Sequence, residues 1–220
     1  MLIVHWSVER FRGSAAAFHE RPIPTDPVPS LWWFEIEQPA IVLGSAQVDE
    51  VVDRDACERL GVEIVRRRSG GGAVLLVPGE VAWFDLVIPR SHPLWDGDIG
   101  RAAWWVGDVV VDALGESDGE VHRGGLLTSA WSSTVCFAGL GPGEVRRHGR
   151  KLLGLSQRRT RDAARFQCAV YRVWDAGLMH SVLRPPRPSP DELGGFVATA
   201  DLGLVDLERA LSRVSVPPAT

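Results

Sequence analysis

Two segments of this 220-residue chain combine arginine with glycine or lysine, the residue types that bind anions. The first, residues 67–74, places three consecutive glycines between two strand-like runs. Glycine adopts positive φ and lets the backbone approach a ligand closely, so its N–H groups can form an anion-binding concavity. A glycine-rich hairpin with solvated arginines would show the same pattern. The candidate residues for binding a carboxylate or phosphate are Arg67, Arg68, Ser69, Gly70, Gly71, Gly72 and Ala73.

The second segment, residues 146–165, holds eight Arg or Lys residues and one acid, Asp162, in a chain of net charge −4. Such a local field indicates a specific anionic ligand or an acidic partner. The alternative is a solvated strand edge rich in arginine. Of the 24 basic residues 23 are Arg, and the one lysine, Lys151, lies in this segment.

Composition excludes several classes of protein. With 45% hydrophobic and 24% charged residues, the chain has the balance of a folded soluble domain. No apolar run reaches the roughly 18 residues of a membrane span, the first residues are too charged for a signal peptide, and the acidic net charge argues against nucleic-acid binding. Three scattered cysteines and six histidines without metal-site spacing lead us to name no metal ligands and to expect a cytoplasmic protein.

Hydrophobic patterning predicts an α+β fold with a mixed β-sheet packed against helices. Strands are expected over residues 31–36, 40–43, 62–65, 73–77 and 81–88, with strand-rich sequence over 132–174. Helices are expected over residues 49–60, 98–114 and 202–214. We expect a catalytic domain over 1–184, followed by a proline-rich linker and a C-terminal helix, 185–220, packed on the same domain.

Two linked motifs resemble those of the biotin/lipoate protein ligase superfamily, most of all its lipoate–protein ligase A branch. One is the glycine loop, and the other is Gly-Arg-Lys-x-x-Gly-x-Ser-Gln over residues 149–157. Residues 41–47 resemble the family's strand ending in Gly-x-x-Gln, and Gln167 resembles a glutamine of its last sheet strand. The similarity covers about residues 31–173 and implies a class II synthetase-like catalytic domain.

The resemblance implies an enzyme that activates lipoate or octanoate with ATP and Mg²⁺ as an acyl-adenylate. The acyl group would pass to a lysine of a lipoyl-carrier domain, of the 2-oxoacid dehydrogenase E2 or glycine cleavage H protein type. Lys151 would bind the carboxylate and phosphate, with Gly154, Ser156 and Gln157 beside it. An activated acyl group needs an apolar pocket, and the candidate lining aromatics are Trp32, Trp33, Trp83, Phe84 and Trp131. The small accessory domain of longer ligases has no counterpart after residue 173, and a separate accessory chain is one alternative source of it.

Other features point to a different chemistry. Family ligases have a histidine and an acid after the glycine loop, and residues 75–80 replace them here with mostly apolar residues. The family's Asn-Asp pair, which helps hold metal and nucleotide, is absent from residues 136–144. Cys136, fifteen positions before Lys151, resembles the cysteine of octanoyltransferases with this fold, which accept octanoate from acyl carrier protein as a thioester without ATP. A buried packing role for Cys136 is the alternative.

Three hypotheses therefore stay open. The first is an ATP-dependent ligase centred on Lys151, and the second is an acyltransferase with Cys136 as nucleophile. The third is a non-catalytic paralogue that binds an acyl group or a carrier protein.

The single lysine permits a clean test. Lys151→Arg keeps a positive charge but replaces a compact ammonium with a planar fork that cannot reach the same oxygens. We expect acyl activation or transfer to fall at least about 100-fold, the scale on which one electrostatic group acts in catalysis. Acyl transfer to a carrier domain, followed by mass spectrometry, measures this, and undiminished activity would disprove a central role for Lys151.

Overall fold

The computed structural model describes residues 5–115 and 118–214. The strands are β1 (Ser7–Gly13), β2 (Ser30–Ile36), β3 (Ala40–Leu43), β4 (Glu63–Arg66), β5 (Val74–Leu76), β6 (Val81–Pro89), β7 (Glu120–Val121), β8 (Val145–Arg147), β9 (Arg150–Arg159) and β10 (Ala163–Tyr171). The helices are α1 (Ala15–Glu20), α2 (Arg54–Leu60), α3 (Trp104–Leu114), α4 (Ala176–Val182), α5 (Pro190–Phe196) and α6 (Leu204–Arg213). Over the described residues, every helix is too short or too polar to span a bilayer.

Two sheets form the framework. Seven strands lie in the order β1-β2-β6-β10-β9-β8-β7, and three lie in the order β4-β3-β5. Strand β1 pairs parallel to β2, and β3 pairs parallel to β4, whereas the other pairings are antiparallel. The predicted α+β fold with a mixed sheet is therefore confirmed.

The large sheet buries a hydrophobic layer on each face. Helices α3 and α6 cover one face through side chains such as Val106 and Leu207. The other face packs against α1 and the small sheet, where Phe18 and Val42 meet Trp83 and other residues of the large sheet. The functional site described below lies in this second layer, between the two sheets.

Two helices begin later than predicted, and a 3₁₀ turn precedes each of them. Residues 49–60 do not form one helix, because Asp53 caps a separate helix α2 by accepting from the Ala56 N–H at 3.0 Å. A short 3₁₀ turn, Asp49–Val51, precedes it. Likewise, residues 98–114 divide into a 3₁₀ turn, Arg101–Ala103, and helix α3.

Five elements were not predicted: strands β1 and β7 and helices α1, α4 and α5. Strand β1 is an edge strand whose alternation is dominated by charged residues, and α1 and α4 are short helices. The proline-rich run predicted as a linker ends inside helix α5, where Pro190 occupies the first turn and Ser189 forms a capping box with Glu192. Proline fits the first turn because the N–H it lacks has no intrahelical partner there. The strand-rich region also begins later, since Cys136–Ala138 is a 3₁₀ turn.

Two glycines with positive φ make a matched pair for testing backbone packing. At Gly143 (φ +81°) an added Cβ would lie 2.4 Å from the Ala103 carbonyl oxygen, whereas at Gly149 (φ +78°) it would meet nothing within 4 Å. We expect Gly149→Ala to cost only the left-handed penalty of about 1–2 kcal/mol. We expect Gly143→Ala to cost about 1–3 kcal/mol more, because the overpacked backbone must shift. Equal losses in urea unfolding would show that the α3 contact is not tight.

Candidate active site

A cavity of about 400 Å³ lies between the two sheets. Its walls come from the glycine loop, strands β3 and β5, the floor strands β6, β10 and β9, and the segment that contains Cys136. Most of the exposed lining is apolar, and the polar exceptions are few and specific. Such a concave, largely apolar site with a few converging polar groups is typical of a small-ligand pocket.

Arg67 holds the glycine loop in shape. Its guanidinium is buried and donates to the carbonyl oxygens of Gly70 and Gly72, at 2.8 Å each, and to that of Val42 at 3.3 Å. Gly71 takes a φ of +95°, which an L side chain rarely adopts. In the part of the chain that the structure describes, the N–H groups of Gly71 and Gly72 donate to no protein acceptor. These amides are therefore available to a ligand.

The Cys136 turn packs directly against the glycine loop. An added Cβ on Gly72 would lie 2.6 Å from the Val135 carbonyl carbon and 2.7 Å from the Cys136 nitrogen. Backbone hydrogen bonds from Ala73 N to Thr134 O (2.8 Å) and from Cys136 N to Ala73 O (3.0 Å) close this contact. As a result, the half-buried thiol of Cys136 lines the cavity beside Gly71.

Lys151 and Glu144 form a buried ion pair at the same end of the cavity. The Lys151 Nζ lies 2.8 Å from Glu144 Oε2 and donates to the Cys136 carbonyl oxygen at 2.8 Å. Both side chains are about 5% exposed. Glu144 also accepts from the N–H groups of Gly141 (2.5 Å) and Leu155 (3.0 Å), which satisfies a carboxylate that burial would otherwise penalise. An ammonium has three protons, so one remains to reach a ligand.

Helix α1 and strand β10 contribute a second set of polar side chains to the cavity, separate from the Lys151–Glu144 pair. His19 and Gln167 both line it, and the Gln167 amide nitrogen lies 3.3 Å from His19 Nδ1. Burial first, and then the charges of Arg67 and Arg165, lower the pKa of His19 to about 3. His19 is therefore neutral at physiological pH.

Beneath these residues lies a fully buried ion pair. Arg165 Nε donates to Asp85 Oδ2 at 2.5 Å, and the same guanidinium donates to the carbonyl oxygens of Phe18 and Arg21 at 2.8 and 2.6 Å. Burial raises the pKa of Asp85 to about 6, although Arg165 opposes this shift. The pair therefore stays charged at pH 7 and fixes α1, with its His19, to the large sheet.

Among the predicted site residues, the structure brings together Arg67, Gly70, Gly71, Gly72, Cys136, Lys151, Gly154 and Ser156 in the cavity wall. Ser69 stands just outside and donates to the Ser156 hydroxyl at 3.1 Å, which joins the glycine loop to β9. Ala73 is fully buried, and it anchors the Cys136 turn through its backbone. Arg68 is exposed, and Arg68 and Gln157 lie outside the lining.

Of the five aromatic residues expected to line a pocket, Trp83 does so. Trp33 and Phe84 pack on the opposite face of the large sheet. The Trp32 indole donates to Glu9 and that of Trp131 donates to Glu192, both at 3.0 Å, outside the cavity lining. Strand alternation explains the positions of Trp33 and Phe84, because neighbouring residues on β2 and β6 face opposite layers. Trp32 shares the layer of Trp83 but lies outside the cavity lining.

The arginine-rich segment 146–165 does not form one basic surface. Lys151 and Arg165 are buried on their acidic partners, and Arg146 pairs with Glu120 at the far edge of the sheet. Arg159 instead donates to the Asp96 carbonyl oxygen at 2.6 Å. Alternation along β9 and β10 and the sheet's width separate these charges, so the segment's net charge did not predict a site by itself.

Sequence reasoning missed Glu144 and His19. Glu144 had one available signal, because it is an isolated acid in a glycine-rich run seven residues before the only lysine. His19 had none, since β10 and α1 are almost 150 residues apart and only the tertiary fold brings them together.

The donor set does not fit the Mg²⁺ that the family resemblance implies. Hard cations prefer several carboxylate or other oxygen ligands. Among the described residues, Glu144 supplies the one carboxylate of the cavity wall, and Lys151 and two backbone N–H groups occupy it. Within residues 5–115 and 118–214, no three His, Cys, Asp or Glu side chains group together as a metal site would require.

The fold and the cavity define a catalytic domain of the lipoate ligase type. The chain belongs to the lipoyl protein ligase A/B catalytic domain family, which matches residues 15–199. It is 30% identical over 159 residues to octanoyltransferase LipM of Carboxydothermus hydrogenoformans, covering 71% of this chain and 58% of that relative. It is 27% identical over 165 residues to the LipM of Kyrpidia tusciae, covering 72% and 60%. The matches thus span less than two thirds of these curated relatives.

Solved structures show the same fold. A bipartite lipoate protein ligase from an archaeal lipoylation system of Thermoplasma acidophilum matches with a TM-score of 0.69 and 19% identity, over 97% of this chain and 82% of the other. A lipoate–protein ligase A bound with ATP matches with a TM-score of 0.66 and 19% identity, over 96% and 83%.

The buried histidine makes stability depend on pH. The pKa of His19 is lowered by folding, so its stabilising contribution is present above the unfolded value of 6.5 and is lost as pH falls toward 3. Between pH 7 and pH 5 wild type should therefore lose about 2 kcal/mol relative to His19→Gln. The opposite contribution of Asp85 cancels in this comparison.

Urea unfolding at both pH values measures the difference. His5→Gln is the matched control for the substitution itself, because His5 is exposed and lies outside the cavity lining. A pH-independent difference between wild type and His19→Gln would show that His19 is not held neutral by the fold.

Proposed function

We propose that this chain is an acyltransferase that carries an octanoyl group on Cys136 and passes it to a lysine of a lipoyl-carrier domain. The observation that supports this most is the position of Cys136. Its thiol lines an apolar cavity beside Gly71 of the glycine loop, and its carbonyl oxygen accepts from the Lys151 ammonium. The whole described chain, including the helices after residue 184, would act as one catalytic domain. The similarity to LipM octanoyltransferases supports the same chemistry.

The other two cysteines do not suit this role. Burial raises the pKa of Cys57, and it raises that of Cys168 well above the ordinary thiol value. Both thiols are buried in hydrophobic clusters. The thiolate is the nucleophilic form, and burial opposes its formation at Cys57 and Cys168. Cys168 also borders the cavity, but its side chain is 1% exposed, whereas that of Cys136 is half-buried.

In the first step the Cys136 thiolate attacks the carbonyl carbon of an octanoyl thioester on a carrier such as acyl carrier protein. A new C–S bond forms at Cys136, the donor C–S bond breaks, and the departing thiolate takes up a proton. The free N–H groups of Gly71 and Gly72 and the third proton of Lys151 can donate to the negative charge that develops on the carbonyl oxygen.

In the second step the neutral ε-amine of the acceptor lysine attacks the same carbonyl carbon. An amide bond forms, the bond to Cys136 Sγ breaks, and the amine loses one proton as the thiolate leaves. The apolar lining excludes water, which protects the thioester from hydrolysis between the two steps. Lys151 is not itself an acceptor, because its ammonium is buried in the ion pair with Glu144.

A nucleotide-dependent ligase is the second candidate. The glycine loop and Lys151 would suit an acyl-adenylate, and they support this reading as they support the first. The cavity offers no free carboxylate for Mg²⁺, which makes transfer from an existing thioester the better fit. In either case the partner would be a lipoyl-carrier domain, and a bipartite ligase would add a separate accessory chain.

One intact-mass experiment separates these readings. Incubation with octanoyl acyl carrier protein should add the mass of one octanoyl group to wild type and to Cys57→Ala, and none to Cys136→Ala. A thioester adduct that survives Cys136→Ala would overturn the nucleophile assignment. A parallel incubation with octanoate, ATP and Mg²⁺ should yield no acyl-adenylate, and its appearance would favour the ligase.

A further inference from the structure

The floor of the cavity runs across the strands of the large sheet. Gly154 on β9, Ala169 on β10 and Trp83 on β6 are paired in register and line the cavity. Neighbouring strands are about 4.8 Å apart, so the distance from Gly154 to Trp83 is about 10 Å. Two small residues followed by a large one make a groove that ends at the third strand.

The roof over this groove is apolar. Val42 of β3 and Val74 and Leu76 of β5 line the cavity on the side opposite the floor. All three belong to the same hydrophobic cluster as Trp83, so the space between the two sheets suits a hydrocarbon chain.

One end of the groove carries the reactive groups. Phe137, which follows Cys136, packs its ring so closely on Gly154 that an added Cβ would be 2.8 Å from it. The Lys151 Nζ lies 5.3 Å from the centre of the same ring and donates to the Cys136 carbonyl oxygen. A ligand bound to Cys136 must therefore extend away from Phe137, over Ala169 and toward β6.

Aromatic packing closes the opposite end. The His19 ring lies 4.9 Å from the Trp83 ring, measured between centroids. Behind Trp83 stand Phe34 at 5.0 Å and Phe18 at 5.7 Å, both buried. His19 is kept neutral by its lowered pKa, so the end wall carries no charge at pH 7 that would repel a methyl group.

We propose that Trp83 and His19 determine acyl chain length, acting as a wall that stops a linear saturated chain of about eight carbons attached at Cys136. The assignment rests on the proposed acyl transfer, and it adds the residues that select the substrate. An extended eight-carbon chain matches the width of two strand spacings, about 10 Å. The width of the sheet from β9 to β6 therefore limits the length of the acyl chain that fits.

Two variants should change the preferred acyl chain length in opposite directions. Ala169→Leu places a branched side chain halfway along the floor, and it should reduce octanoyl adduct formation at least tenfold relative to butyryl. His19→Ala removes half of the end wall, and it should raise the ratio of decanoyl to octanoyl adduct at least tenfold. Glu20→Ala, next to His19 but exposed, is the matched control and should keep the wild-type profile.

The measurement is a series of acyl carrier proteins loaded with four to twelve carbons, read as intact mass of the adduct over time. Calorimetric titration with the free acids of the same lengths gives a second readout that needs no chemistry at Cys136. If His19→Ala forms adducts with the wild-type preference for chain length, the proposed end wall is wrong, whereas the proposed acyl transfer still holds. If calorimetry shows the expected shift in preferred chain length but no adduct forms, the end wall is supported and the proposed transfer is rejected. If Ala169→Leu fails to fold, His19→Ala alone decides.

Discussion

The close approach of three backbone segments is the constraint on which the site depends. A Cβ on Gly44 would lie 2.0 Å from the Gly71 carbonyl oxygen, and one on Gly72 would lie 2.6 Å from Val135. Strand β3, the glycine loop and the Cys136 turn therefore meet at distances that only glycine allows. Arg67 then secures the loop through carbonyl oxygens on both sides of Gly71. Its role is to hold the backbone, which leaves the loop's N–H groups free.

This backbone contact sets the position of the charged pair. The Cys136 carbonyl oxygen receives a proton of Lys151, and Glu144 receives another. Removing two charges from water is costly, and the pair is tolerated because hydrogen bonds complete the surroundings of the carboxylate. A lysine held in this way has little freedom to move, so its remaining proton meets the ligand in a preorganised direction.

The cavity stays apolar although many ionisable residues surround it. Arg165 and Asp85 neutralise each other below the floor, and Lys151 and Glu144 do so at one end. His19 is kept uncharged by the same burial and by the arginines nearby. Two cations are thus paired with acids, and the Arg67 guanidinium donates to backbone carbonyl oxygens. The space between the sheets presents hydrocarbon and a few directed donors. An acyl chain and a reactive carbonyl group require that combination.

The sequence alone determined the fold class and named most of the residues that the structure then places in the wall of the candidate cavity. Linear patterns carry that information: β-strand alternation, three consecutive glycines and the lone Lys151 in its motif were all readable. The tertiary structure decided which of these side chains are buried and which distant residues lie together. Arg67 became a support and Arg68 a surface residue, because one faces the core and its neighbour faces solvent. Glu144 and His19 joined the site because chain folding brought distant segments together, at a place where low dielectric makes each charge matter. Residue types and spacing therefore named candidate residues and candidate chemistries, whereas burial and contact between distant strands decided which residues line the cavity.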